Sequence, residues 1–177
     1  MARDFTKWDS YFIKVAETVS EMSKDRSTKV GCVITAPDNT IISTGFNGFP
    51  PGIDERYMVH ERPMKYELVC HAEMNAIVFA RKDIHGCTLY CTHAPCPNCL
   101  KHCITAGISR VLYKDGGPMV DRGTLEQKEA LLRLLFGSTT YCVNWGDRPG
   151  LTYIDEIRNS LKEQDRIDIN ERIFTMG

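Results

Sequence analysis

The feature that most constrains this chain is His71-Ala72-Glu73, followed downstream by Pro95-Cys96-Pro97-Asn98-Cys99. One imidazole and two thiolates are donors suited to Zn²⁺, and a carboxylate so close to the histidine need not bind the metal at all. Three protein donors leave the fourth tetrahedral position open to water, which separates a catalytic zinc from a closed structural one. Zinc lowers the pKa of its bound water from 15.7 to about 7, so hydroxide becomes available at neutral pH. Glu73 is then placed to take up and return the water's proton. Both donor segments open helices directly after loops or strands, so their side chains can converge at one edge of a sheet. Helix N-termini at that edge favour thiolate over thiol.

Each half of the pattern is ambiguous alone. His-x-Glu occurs by chance on exposed helices, and Cys-x-x-Cys serves redox chemistry as well as metals. A thioredoxin-like reading accounts for a cysteine pair starting a helix after a strand. It leaves unexplained a second junction that opens with His71. A structural zinc needs a fourth donor, for which Cys70, His93, His102 and Cys103 are close in sequence. Such a site has no use for an unligated Glu73.

A length of 177 residues fits one domain with a real core. The net charge of −1 and pI near 6.5 argue against a chain that tracks along nucleic acid and favour a small-molecule substrate. The first residues, Met1 to Trp8, lack the apolar run of a signal peptide, and no stretch approaches the ~20 apolar residues of a membrane span. The expectation is a cytoplasmic protein with reduced thiols. Of its eight cysteines, Cys32, Cys87, Cys91 and Cys142 sit inside apolar runs as small core residues. His60 and His85 read as surface loop residues, and His93 stands near enough to the cysteine pair to shape a pocket.

Trp8, Phe12, Val15, Val19 and Met22 recur at helical spacing, which predicts a helix over 7–23. Residues 30–34 and 40–44 are β-rich runs joined by the turn Pro37-Asp38-Asn39. A long loop spans 45–65, and helices are predicted over 71–82, 96–106 and 124–136. Strands are expected at 88–92, 110–113 and 141–144. The order α-β-β-α-β-α-β-α-β implies an α/β fold, a three-layer α/β/α domain with a five-stranded mixed sheet and helices on both faces. A domain over 1–147 is expected, with 148–177 as a C-terminal extension. In that extension Ile154, Ile157 and Leu161 can line a helix docked on the domain or a second subunit, or the segment is a solvated end.

His-x-Glu with Pro-Cys-x-x-Cys is the signature of zinc nucleobase deaminases. Taken with the segments Lys29–Ile34, Ser43–Pro50, Lys65–Ala76 and Ala106–Val111, the chain resembles the cytidine deaminase superfamily, and more narrowly the deoxycytidylate (dCMP) deaminases. The likeness covers roughly residues 8–143. It implies hydrolysis of dCMP to dUMP and ammonia by a zinc-bound hydroxide, a step toward thymidylate in pyrimidine metabolism. It further implies a homo-oligomer, often a hexamer, activated by dCTP with Mg²⁺ and inhibited by dTTP. By resemblance His71, Cys96 and Cys99 take the ligand roles for one zinc and Glu73 that of proton shuttle. The Ala72 N–H would hold the cytosine O2, the Ala94 carbonyl would accept from the leaving amine, and Asn47 would bond the deoxyribose 3′-hydroxyl.

Arg26, Ser27, Thr28 and Lys29 form a short cationic, hydroxyl-rich loop suited to a monophosphate, or else a solvated loop after the first helix. Relatives often carry a substrate-contacting tyrosine after the fourth strand, where this chain has Asp115-Gly116-Gly117-Pro118; Arg122 is a candidate replacement. Some relatives bind a second zinc through a cysteine near position 25, which here is Asp25. The alternative functions are deamination of tRNA or single-stranded nucleic acid, or of another free nucleotide or base, and a non-catalytic zinc module.

Overall fold

Side-chain alternation along the strands sets the architecture. A computed structural model describes residues 5–175; residues 1–4 of the N-terminal stretch and 176–177 of the extension lie outside it. The strands are β1 (Gly31–Thr35), β2 (Ile41–Phe46), β3 (Thr88–His93), β4 (Arg110–Asp115) and β5 (Tyr141–Asn144), in the order β2-β1-β3-β4-β5. β1 pairs antiparallel with β2 and with β3, whereas β3–β4 and β4–β5 are parallel. Successive residues point to opposite faces of a strand. Cys32, Ile34, Leu89, Cys91, Val111, Tyr113 and Cys142 accordingly share one core cluster, and Val33, Tyr90, Leu112 and Val143 another. Every residue of β1 is buried, as a strand covered on both faces requires.

The second cluster is closed by α1 (Lys7–Ser20) through Phe12, Ile13 and Ala16. A capping box starts this helix: the Thr6 side chain accepts from the Asp9 N–H, and the Asp9 carboxylate accepts from the Thr6 N–H. Asp9 is buried and accepts further hydrogen bonds from the Thr6 hydroxyl, from Arg110 (two) and from the Tyr90 hydroxyl at 2.8 Å. The opposite face of the sheet carries α3 (Ala72–Phe79), α4 (Pro97–Thr105), α6 (Leu125–Phe136), α7 (Tyr153–Ser160) and α8 (Glu163–Phe174). The mixed five-stranded sheet with helices on both faces agrees with the reading of the sequence.

Several boundaries differ from that reading. α1 ends at Ser20 and α3 at Phe79, just before Arg81 takes a left-handed backbone with φ of 48°. Two short helices were not expected: α2 (Met64–Leu68) begins at the end of the 45–65 loop, and α5 (Gly117–Arg122) follows β4. Neither spans two turns, so neither leaves a periodic apolar signature. In the C-terminal extension Tyr153, Ile157, Leu161 and Ile169 are buried in the same cluster as the sheet residues. No helix among the described residues is long and apolar enough to cross a membrane.

Candidate metal centre

Two helices begin at the same end of the sheet, and each begins with a potential metal donor. His71 is the N-cap of α3, and Cys96 is the N-cap of α4; both have extended backbone, and neither side chain caps its helix. Pro97 at the start of α4 has its φ pre-set for a helix and needs no amide partner there. Cys99 follows one turn later and is buried. A third element brings α3 close to the sheet. A Cβ on Gly45 would sit 2.3 Å from the Ala76 nitrogen and 2.4 Å from the Ala72 carbonyl, so β2 packs this tightly only because residue 45 is glycine.

His71 Nδ1 lies 3.6 Å from the Cys96 sulfur and 3.3 Å from the Cys99 sulfur, and the three donor atoms fall within 4.8 Å of one another. Zn–N and Zn–S bonds at tetrahedral angles place nitrogen and sulfur about 3.5 Å apart. The donor set therefore fits zinc in type and in spacing. Cys70, His93, His102 and Cys103 do not join the group, so no fourth protein donor completes it among the described residues. His71 is exposed, Cys96 half-buried and Cys99 buried, which leaves the histidine side open to solvent.

Electrostatics divide the two thiols. The Cys99 S–H donates to the Cys96 sulfur and His71 adds a further hydrogen bond, so the Cys96 pKa falls to about 4 despite burial. Cys99 keeps its proton, held first by that bond to Cys96 and then by burial. The Cys96 sulfur in turn raises the pKa of His71. Both sulfurs bind a metal as thiolates, and Cys99 still carries its proton, so uptake releases it.

Glu73, in the first turn of α3, is only 4% exposed, and burial raises its pKa above the usual carboxylate value, opposed by the charge of His71. A carboxyl group tuned upward beside a group of donors that would hold a Lewis acid is suited to proton transfer. Beneath it lie two thiols, with the Cys32 and Cys91 sulfurs 2.8 Å apart across the β1–β3 pair and both buried. Cys87 and Cys142 are buried too, so the four cysteines expected in the core are there. Ala72, the first residue of α3, is buried, and a first-turn N–H has no acceptor within its own helix. The Ala94 N–H is tied to the Asp115 carbonyl at 2.8 Å, which fixes the peptide leading to Pro95.

Asn47 is buried and already engaged. Its Oδ1 accepts from the Val30 N–H at 2.8 Å, and its Nδ2 donates to the Thr28 carbonyl at 2.9 Å and to Asp25 at 3.4 Å. One Oδ1 lone pair is left for a hydroxyl donor. The residues expected at a phosphate are dispersed. Ser27 donates to Asp25 and accepts from Lys65, Lys29 reaches back to the Glu21 carbonyl, and Arg26 lines a cleft of about 800 Å³. That cleft runs between Lys24–Arg26 and the 46–69 loop and reaches Val69, two residues before His71. Arg122 is exposed at the end of α5. His93 packs beside the site, with Nδ1 3.0 Å from the Thr92 hydroxyl and Nε2 3.8 Å from Asp115.

Reading the sequence missed Lys65. Its ammonium is nearly buried and meets the equally buried Asp25 carboxylate at 2.6 Å. Burial alone would raise the Asp25 pKa, but Lys65 and the N–H groups of Ser27 and Thr28 hold it well below its ordinary 3.8.

Comparison with known proteins agrees with this geometry. The family model of the cytidine and deoxycytidylate deaminase zinc-binding region matches residues 6–115. The chain is 49% identical over 106 residues to an uncharacterized deaminase in the luxG 3'region of Aliivibrio fischeri, covering 60% of this chain and 71% of that protein. It is 36% identical over 140 residues to the deoxycytidylate deaminase of Mus musculus, covering 75% of this chain and 76% of the mouse protein. Among solved structures, the dCMP deaminase of cyanophage S-TIM5 in complex with dCMP and dUMP superposes with a TM-score of 0.60 at 30% identity, covering 76% of this chain and 94% of that one.

Proposed function

The chain belongs to the cytidine and deoxycytidylate deaminase zinc-binding family, and from that membership we propose that it hydrolyses dCMP to dUMP and ammonia. The observation that carries this reading is a three-donor group, His71, Cys96 and Cys99, beside a buried carboxylate that is not part of it. Zinc held by those donors supplies a Lewis acid that acidifies water to near neutrality.

The remaining chemistry belongs to the chain. Glu73 takes a proton from the attacking water and hands it to the ring nitrogen N3 of cytosine; it then takes the proton of the hydroxyl newly formed at C4 and gives it to the exocyclic amine, which leaves as ammonia as the C4 carbonyl forms. Burial raises the Glu73 pKa, which suits one carboxyl group to acting first as base and then as acid. The Ala72 N–H holds the base by donating to its O2 oxygen, and the Ala94 carbonyl accepts a hydrogen bond from the amine. Asn47 keeps one Oδ1 lone pair for the sugar 3′-hydroxyl, while its other bonds fix the 24–30 loop against the site. Arg26, exposed on that loop and lining the cleft, supplies donors for a monophosphate, and Ser27 and Lys29 can join it only by leaving Asp25 and the Glu21 carbonyl.

Ammonia release should be measured with dCMP, dCTP, cytidine, cytosine and single-stranded RNA. A clear preference for dCMP is expected. Preference for a base without phosphate, or for RNA, would overturn the substrate assignment.

A further inference from the structure

The peptide that delivers Cys96 cannot secure itself. Pro95 and Pro97 remove two amide donors from the link between β3 and α4, leaving the Ala94 N–H as its tie to β4. The Pro95 carbonyl, directly before Cys96, is met from outside the family-matched region. The Tyr153 hydroxyl donates to it at 2.8 Å, in a buried bond spanning 58 residues. Both groups need this bond. A buried hydroxyl or carbonyl without a partner carries its full desolvation penalty.

Tyr153 is itself held from two sides. Its ring packs on Tyr113 of β4 with centroids 5.1 Å apart, and the Tyr113 hydroxyl donates to Glu156 one turn along α7. Asn144 of β5 donates to the same carboxylate at 3.0 Å, and the Thr152 side chain caps the helix by accepting from the Asp155 N–H. A Cβ on Gly116 would come within 2.9 Å of that carboxylate, so Glu156 is enclosed by β4, β5 and the start of α5. The sheet therefore fixes α7, and α7 fixes the peptide before a metal donor.

We propose that Tyr153 is a positioning residue for the metal centre, and that the C-terminal extension thereby forms part of that centre. The inference rests on the reading of Cys96 as a zinc ligand. Groups outside the ligand set that orient a ligand typically change metal affinity by about 10–100-fold when removed.

The test uses the full-length zinc protein and Tyr153→Phe, which keeps the ring and deletes one hydroxyl. Zinc affinity is measured by competition with a chromophoric chelator, and the thiolate-to-metal absorption band is recorded after cobalt substitution. The control is Tyr90→Phe, which removes a comparable buried hydroxyl bond to Asp9 among the residues that pack on α1. Tyr153→Phe should weaken zinc binding about 10–100-fold and shift the cobalt band, with KM for dCMP unchanged at saturating zinc. Tyr90→Phe should leave affinity and band unchanged. If Tyr153→Phe does not fold, Glu156→Gln loosens α7 without touching Pro95 and should weaken binding in the same direction. Wild-type zinc affinity in a folded variant, or equal weakening by Tyr90→Phe, overturns the inference alone. A wild-type protein that takes up no zinc overturns the metal reading beneath it.

Discussion

Lys65→Met isolates the most consequential interaction away from the metal. The substitution keeps much of the side-chain volume but leaves the Asp25 carboxylate buried without its cation, both partners having been less than a tenth exposed. Breaking a buried pair from one side costs about 3–5 kcal/mol. Asp25 retains hydrogen bonds from the Ser27 and Thr28 amides and the Ser27 hydroxyl, which places the loss near the lower end, about 3 kcal/mol. For a chain of this size that corresponds to a fall in Tm of about 6–12 °C. The pH dependence follows from the depressed pKa of Asp25. A carboxylate whose folded pKa lies below 3.8 adds stability above that pH, and the contribution drains away as pH falls through the folded value. The gap between wild type and Lys65→Met should thus be full at pH 7 and narrow below pH 4.

Urea denaturation across that range measures the gap, and the double variant Asp25→Asn/Lys65→Met should recover part of the loss, because no uncompensated charge remains. A loss under about 1 kcal/mol at pH 7 would mean that the pair is effectively solvated. A gap that does not narrow in acid would refute the linkage. The same variant frees the 24–30 loop that carries Ser27 and meets Asn47, so KM for dCMP should rise while zinc content is unchanged.

Three other expectations concern the site and its frame. Glu73→Gln should keep wild-type zinc and Tm yet lose at least about 10²–10⁴-fold in kcat, measured by ammonia release; surviving turnover would remove the proton shuttle. Cys99→Ala should lose both zinc and stability, since two donors hold the metal poorly and the start of α4 is released, as read by metal analysis and thermal unfolding. Asp9→Asn should cost about 3 kcal/mol through the stranded Arg110 guanidinium, with KM for dCMP unchanged, because that pair lies at the ends of α1 and β4 away from His71.

What could be read from the sequence, and what could not, divides by range. The β-rich runs holding Cys32–Ile34 and Leu89–Cys91, and the donor pattern, are each confined to short segments, so both were legible. The helix starts at His71 and Cys96 were legible for the same reason. Lys65 with Asp25, and Tyr153 with Pro95, join residues 40 and 58 apart, and nothing in either local segment names its partner. The extension left a docked helix and a solvated end equally open, because a short apolar spacing does not name what covers it; Ile157 and Leu161 are buried in the same cluster as the sheet residues. Asn47 was singled out as a sugar contact, but its buried amide also ties two loops together, a role that composition alone does not reveal.

The central claim is a single zinc held by three side chains with a fourth position open. Elemental analysis of purified, active wild-type protein beside Cys99→Ala tests it most directly. One zinc per wild-type chain and little in the variant are expected. Active wild-type protein without zinc, or full zinc in Cys99→Ala, would contradict the ligand set and the chemistry built on it.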